Sequence, residues 1–241
     1  MKIIVTAGPT RDYLDPVRFL SNPSTGKMGF AIAAEAARRG HDVTLVAGPV
    51  TLKTPKGVKR VDVVSAREML AAATASCSSG AEDASCSSFA SHASCSSRAS
   101  QSSLARLTPP TVFIATAAVA DWRPARCAAK KLKKGEMSPT LKLVRNPDIL
   151  KTISARGRKT GDVRLVGFAA ETNDVLAEAA RKCREKGLSF IVANDVTEKG
   201  SGFGTDTNRV TFVFPDGTLK KFPLMTKRLV AKRILDEVSR L

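Results

Sequence analysis

The chain has 241 residues, 43% hydrophobic and 25% charged, enough to bury a full core in one domain with at most an appendage. No run reaches the ~18 apolar residues that suggest a transmembrane helix, and Met1 abuts the first strand candidate without room for a signal peptide. A formal net charge of +17 suits polyanionic partners, but the cations are spread along the chain with only one Trp and one Tyr, which argues against nucleic acid as the main partner.

The first strand candidate is Lys2-Ile-Ile-Val-Thr6. Asp15-Pro-Val-Arg-Phe-Leu-Ser-Asn-Pro-Ser-Thr-Gly-Lys-Met-Gly29 follows and leads into an alanine-rich helix pattern over Met28–Arg39, closed by Gly40 as a C′ residue. A Ser/Asn/Thr/Gly loop at the carboxyl end of a first strand, opening a helix, is where open α/β sheets receive anions. The segment is therefore expected to handle phosphate. Asp42–Ala47 and Arg60–Val64 read as further strands, and Ser65-Ala-Arg-Glu68 is a capping box opening a helix over Ala66–Ala73.

Residues 75–103 carry a nine-residue repeat, Ala-Ser-Cys-Ser-Ser at 75–79, 84–88 and 93–97. Ser/Ala/Cys composition without apolar periodicity cannot offset its ordering entropy, so the segment reads as a flexible surface insertion in a single domain over 1–241. Its three cysteines, with only His92 nearby, lack metal-site spacing. The whole chain has five cysteines, an odd count without CxxC spacing, which suits a reduced, cytoplasmic protein.

Beyond the insertion, Val112–Thr116 is the next strand, and Ala115-Thr-Ala-Ala-Val-Ala-Asp-Trp122 ends it in small residues and an acid. Small side chains let a flat ligand approach the backbone, and Asp121 offers an acceptor for a ribose hydroxyl or base amine, or caps a turn. Lys130-Lys-Leu-Lys-Lys134 is a basic loop, either solvated or closing over phosphates. Asn146-Pro-Asp-Ile149 reads as a helix entrance with Pro147 at the first helical position. Strands at Arg164–Phe168 and Phe190–Ala193 flank a helix capped by Thr172 or Asn173 and running to Lys186, stopped by Gly187; Lys182 and Lys186 share one of its faces. Arg209–Phe214 and Thr218–Phe222 form a hairpin turning at Asp216-Gly217, and Thr226–Leu241 is an amphipathic helix. Short β-branched strands alternating with helices predict an α/β fold, a Rossmann-like, mostly parallel sheet with helices on both faces. The terminal hairpin is expected to serve in dimerisation.

In order and spacing, Asp15-Pro-Val-Arg18, Ser21-Asn22, Ser24-Thr-Gly-Lys-Met-Gly29, Ala117-Ala-Val-Ala-Asp121, Lys131-Leu-Lys-Lys134, Asn146-Pro-Asp-Ile149, Gly167-Phe-Ala-Ala-Glu-Thr172 and Ala193-Asn-Asp195 resemble phosphopantothenoylcysteine synthetase, the phosphopantothenate–cysteine ligase family. The resemblance covers nearly the whole chain except the insertion. It implies a cytoplasmic, homodimeric ligase of coenzyme A biosynthesis that activates 4′-phosphopantothenate with CTP and Mg²⁺ and passes the acyl group to L-cysteine. The metal ligands stay unknown. The family's flavin-dependent decarboxylase half has no counterpart in the motifs, so no flavin is expected and the decarboxylase would be a separate partner.

By the same resemblance, Lys131 matches the catalytic loop lysine and Asn22 the asparagine that holds the acyl intermediate. Ala115, Thr116, Ala117, Asp121, Asn146, Pro147, Asp148, Ile149, Phe168, Lys182 and Lys186, together with Lys131, match nucleotide contacts. Lys130 stands where relatives commonly carry an acid, and Trp122 where tyrosine is usual. Two other classes compete with this reading. One is a nicotinamide-dependent Rossmann oxidoreductase, for which Thr6-Ala-Gly-Pro-Thr-Arg11 lacks the G-x-G-x-x-G turn. The other is a basic nucleic-acid-binding protein.

Overall fold

The computed structural model describes residues 1–78, 110–133, 140–160, 163–171, 174–195, 198 and 200–241. Lys134, the cap candidates Thr172 and Asn173, and the insertion beyond Ser78 lie outside the described residues.

Eight strands build the main sheet: β1 (Lys2–Ala7), β2 (Asp42–Ala47), β3 (Val58–Asp62), β4 (Thr111–Ala115), β5 (Val163–Glu171), β6 (Phe190–Asp195), β7 (Val210–Val213) and β8 (Leu219–Lys221). Their spatial order is β8-β7-β6-β5-β4-β1-β2-β3. The six strands from β3 to β6 are parallel, and β7 and β8 continue the sheet antiparallel. Strand order reverses between β1 and β4, which opens a crevice at their carboxyl ends.

Alternation along the strands sorts two cores. Ile3, Val5 and Ala7 of β1 face α1 (Lys27–Arg38) and α5 (Lys227–Val238), together with Leu45, Ile114 and Phe212. Ile4, Val46, Phe113 and Leu165 face the other side, against α2 (Ala66–Ser78), α3 (Ile149–Thr160) and α4 (Val175–Lys186). Strands buried on both faces need apolar residues at successive positions, which is why these read as continuous runs.

Helix ends follow local chemistry. Gly40, at φ 76°, lets its N–H and that of His41 return to Ala37 O (2.9 Å) and Ala36 O (3.2 Å), closing α1. Ser65 and Glu68 form the capping box of α2, with Glu68 N donating to Ser65 Oγ at 3.2 Å. Two expectations shift. Helix α2 continues to Ser78, so residues 75–78 belong to it, and Cys77 packs against the second core. At α4 the N-cap is Asp174, in the left-handed region at φ 45°.

Among the described residues, three short ribbons stand outside the sheet: Arg11–Tyr13 with Phe19–Ser21, Trp122–Pro124 with Leu143–Arg145, and Thr207–Asn208 with Met225–Thr226. The predicted C-terminal hairpin is β7–β8, and it joins the main sheet through β6 instead of standing apart from it.

Candidate functional site

The segment after β1 divides in two. Asp15-Pro-Val-Arg18 is the turn of the first ribbon, with Leu14 N donating to Arg18 O at 2.8 Å. Asp15 Oδ1 accepts from Val17 N and Arg18 N, each at 2.9 Å, and Oδ2 accepts from Arg18 Nε at 3.0 Å and from the closer Arg18 Nη2. The Arg18 guanidinium holds the wholly buried Asp15 carboxyl well below the usual carboxylate range, with the backbone donors adding to it. This pair also grips the basic loop: Leu132 N donates to Asp15 Oδ2 at 3.2 Å, and Arg18 Nη2 donates to Leu132 O at 2.9 Å. The exposed Lys131 directly precedes that clamped residue. Only Ser24–Gly29 remains as a cradle at a helix start, so the expectation of an anion loop across Asp15–Gly29 contracts to its second half.

Asn22 ties the segments after β1 and β4 together, its Nδ2 donating to Ala118 O at 3.1 Å and Val119 O at 3.3 Å. Thr116 Oγ1 donates to Thr6 O at 2.5 Å, and Ala120 N donates to Thr10 Oγ1 at 3.0 Å. A cavity of about 230 Å³ opens at this crevice. Ala115, Ala117 and Asp121 form one wall, Asn146, Pro147, Asp148 and Ile149 another, and Phe168 and Lys186 complete it. Nine of the predicted nucleotide contacts therefore meet in one cleft. Thr116 lines an adjoining pocket; Asn22, Lys131 and Lys182 line neither.

The cleft is organised by its own hydrogen bonds. Asp148 Oδ1 accepts from Lys151 N at 2.9 Å, so Asp148 caps α3, which starts at Ile149. Pro147 thus precedes the cap, a correction to its expected place inside the first turn. Asp148 Oδ2 pairs with Lys186 Nζ at 2.8 Å. Burial works to raise the Asp148 pKa, but the Lys151 N–H and the Lys186 ammonium outweigh it and hold the carboxyl below its usual range. Asn146 Nδ2 donates to Asp12 Oδ2 at 3.0 Å and Ala120 O at 2.8 Å, while its Oδ1 accepts from Arg123 Nη1 at 3.2 Å. Both amide protons are therefore spent inside the protein.

The adjoining pocket, about 70 Å³, lies at the start of α1 and shares Phe168 with the cleft. Gly26 precedes α1 without a side-chain cap, leaving first-turn N–H groups toward the pocket. At Gly29 a Cβ would sit 2.5 Å from both Ala7 Cβ and Thr116 Oγ1, so only glycine lets α1 come this close to β1. Asn194 and Lys227 also line the pocket and were not assigned to it from sequence. Asn194 sits in the quoted Ala193-Asn-Asp195 motif, and the buried Lys227 is hidden in the helical pattern of α5. Lys227 Nζ donates to Gly202 O at 3.1 Å and Thr205 O at 2.6 Å, and burial lowers its pKa. Among the described residues no three His, Cys, Asp or Glu side chains converge to hold a metal ion.

A parallel sheet with a polar cleft at its strand-order reversal, closed by a lysine, defines a Rossmann-like α/β domain of the ligand-binding type. The chain belongs to the DNA/pantothenate metabolism flavoprotein C-terminal domain family, whose model matches residues 1–92 and 91–241. It is 44% identical over 241 residues to the Escherichia coli (strain K12) coenzyme A biosynthesis bifunctional protein CoaBC, covering 99% of this chain and 51% of that protein. The chain thus spans about half the length of such curated relatives. The crystal structure of the C-terminal domain of a CoaBC protein matches with a TM-score of 0.72 at 37% identity, over 98% of this chain and 93% of the other. A Cab2 mutant in complex with phosphopantothenate-cysteine has a TM-score of 0.71 at 13% identity, over 99% of this chain and 86% of the other, a likeness of fold alone.

Proposed function

We propose that this chain is a phosphopantothenate–cysteine ligase unit that uses CTP to join 4′-phosphopantothenate to L-cysteine. The observation that carries the reading is the pairing of two pockets across Phe168, one at the strand-order reversal and one at an uncapped helix start. The first suits a nucleotide, and the second suits the phosphate end of an acyl substrate. The name borne by the E. coli relative, a coenzyme A biosynthesis bifunctional protein, supports the reading.

The acyl carboxylate attacks the α-phosphorus of CTP, pyrophosphate leaves, and an acyl-cytidylate forms. The cysteine amine then attacks the acyl carbon and displaces CMP, giving an amide and releasing a proton. Lys131 and Lys186 offer charge to the departing pyrophosphate. Asp121 accepts from the ribose or base. Asn22 donates to the acyl oxygen once it leaves the backbone carbonyls it now holds. Lys182 would reach the nucleotide from the turn of α4 before Lys186. Magnesium enters this reading with the nucleotide phosphates, since the described carboxylates do not form a protein-held site. A cytoplasmic homodimer, with the β7–β8 hairpin at its contact, completes the reading.

The test is pyrophosphate release from CTP, or from ATP in a parallel arm, that depends on 4′-phosphopantothenate. CMP and the amide should appear only after cysteine is added. No pyrophosphate with either nucleotide overturns the ligase reading, and an ATP preference overturns the choice of CTP alone.

A further inference from the structure

A third cavity, about 330 Å³, opens beside the two ribbons, outside both pockets described above. Three arginines line it: Arg11 from the first ribbon, Arg67 from the first turn of α2 and Arg123 from the second ribbon. Two carboxylates share the cavity, and both are engaged. Glu68 accepts from Val64 N at 2.8 Å and Ser65 Oγ at 3.0 Å in the helix cap. Asp12, only 5% exposed, accepts from Asn146 Nδ2 at 3.0 Å.

The arginines keep donors in hand. Arg11 rests over the Phe19 ring, its Cζ 4.7 Å from the centroid, a contact that leaves in-plane N–H groups for other partners. Neither Arg11 nor Arg67 makes a side-chain hydrogen bond or ion pair among the described residues. Arg123 spends Nη1 on Arg145 O and Asn146 Oδ1, which leaves Nε and Nη2. Arg123 and Arg67 act electrostatically on the Asp12 carboxylate, and with Glu68 counted as well the three guanidiniums leave one positive charge in excess, which favours an anion in the space. Planar forks that line one cavity from three elements suit the several oxygens of a phosphate group better than a single carboxylate.

We propose that this cavity is a second anion-binding site, taking a small molecule that bears a phosphate or diphosphate group. Asn146 is the wall between the two sites, since its amide holds Asp12 and Arg123 while the residue also lines the cleft. The proposal does not depend on the ligase reading.

Cys127 is exposed and lines the same cavity, so its alkylation reports occupancy. Iodoacetamide labelling of the full chain, read by mass spectrometry on the Cys127 peptide, is compared in metal-free inorganic pyrophosphate, in phosphate, and in chloride of equal ionic strength. Labelling should slow severalfold with at least one of the two anions and not with chloride. The slowing should vanish in Arg67→Ala and persist in Lys186→Ala, with unchanged circular dichroism certifying both folds. Protection by phosphate assigns a monophosphate end; protection by pyrophosphate alone assigns a diphosphate. Equal labelling in all three salts overturns the site. So does protection that survives Arg67→Ala, or protection lost in Lys186→Ala, which would put the anion in the cleft.

Discussion

At the scale of single residues, the cleft is set before any ligand arrives. Asn146 spends both amide protons on Asp12 and Ala120, so its contribution to a ligand comes through its position in the wall. Removing it leaves a buried carboxylate without its donor, whose pKa burial already raises. Asn146→Ala is expected to destabilise the fold by about 1–3 kcal/mol, read as a fall in urea midpoint, before any effect on catalysis is counted. Lys131→Gln behaves oppositely. The clamp beside it uses the backbone of Leu132, so the variant should melt like the parent while phosphopantothenate-dependent pyrophosphate release falls below detection. Normal turnover in this variant would remove Lys131 from the mechanism. Asn22→Ala should let the acyl-cytidylate accumulate, visible by chromatography of quenched reactions, with about 1 kcal/mol of stability lost with its bonds to Ala118 and Val119.

Elements bring these residues together through close backbone approach and an ion pair whose carboxylate is buried. Gly48, just after β2, has room for nothing more: a Cβ there would lie 1.8 Å from Pro9 O. Gly48→Ala must push the β1 exit away from β2, and it should cost several kcal/mol and lower the melting temperature well beyond a surface Gly→Ala change. The Asp15–Arg18 pair fixes the first ribbon to the basic loop. Because the folded-state pKa of Asp15 is lowered, its stabilisation is full above the unfolded Asp value of about 4 and is lost as pH falls below that toward the folded value. Asp15→Asn should therefore melt below the parent at pH 7, with the gap narrowing at pH 3; a gap that is constant across this range would show that charge is not what holds the ribbon. The six parallel strands, the end of α1 and the start of α2 were legible because burial on both faces, Gly40 and the Ser65/Glu68 box act over a few residues. Three-residue ribbons are too short to carry a period. The Asp12–Asn146 bond joins positions 134 apart, and no local pattern announces it. Most of the cleft wall was still foreseeable, since Ala115–Asp121 ends a buried strand, Asn146–Ile149 reads as a helix entrance, and the family resemblance assigned both to the nucleotide.

For the whole molecule, the serine-rich repeat enters after the body of α2 and the chain returns at β4, the central strand beside the crevice. Its first copy is not an appendage. Residues 75–78 form the last turn of α2, and Cys77, its thiol pushed up to about 11 by burial, packs against the core that α2 shares with Phe113. Two deletions separate the roles. Removing 80–103 leaves α2 whole and should preserve both the melting temperature and the phosphopantothenate-dependent release of pyrophosphate. Removing 75–103 cuts that turn, exposes the apolar surface Cys77 covers and should lower the melting temperature by several degrees, with turnover per folded molecule unchanged. Equal melting of the two would mean that the last turn of α2 adds nothing to the core. A folded but inactive 80–103 deletion would instead make the repeat a part of the catalytic unit, and the domain could no longer be described by its sheet and two pockets alone.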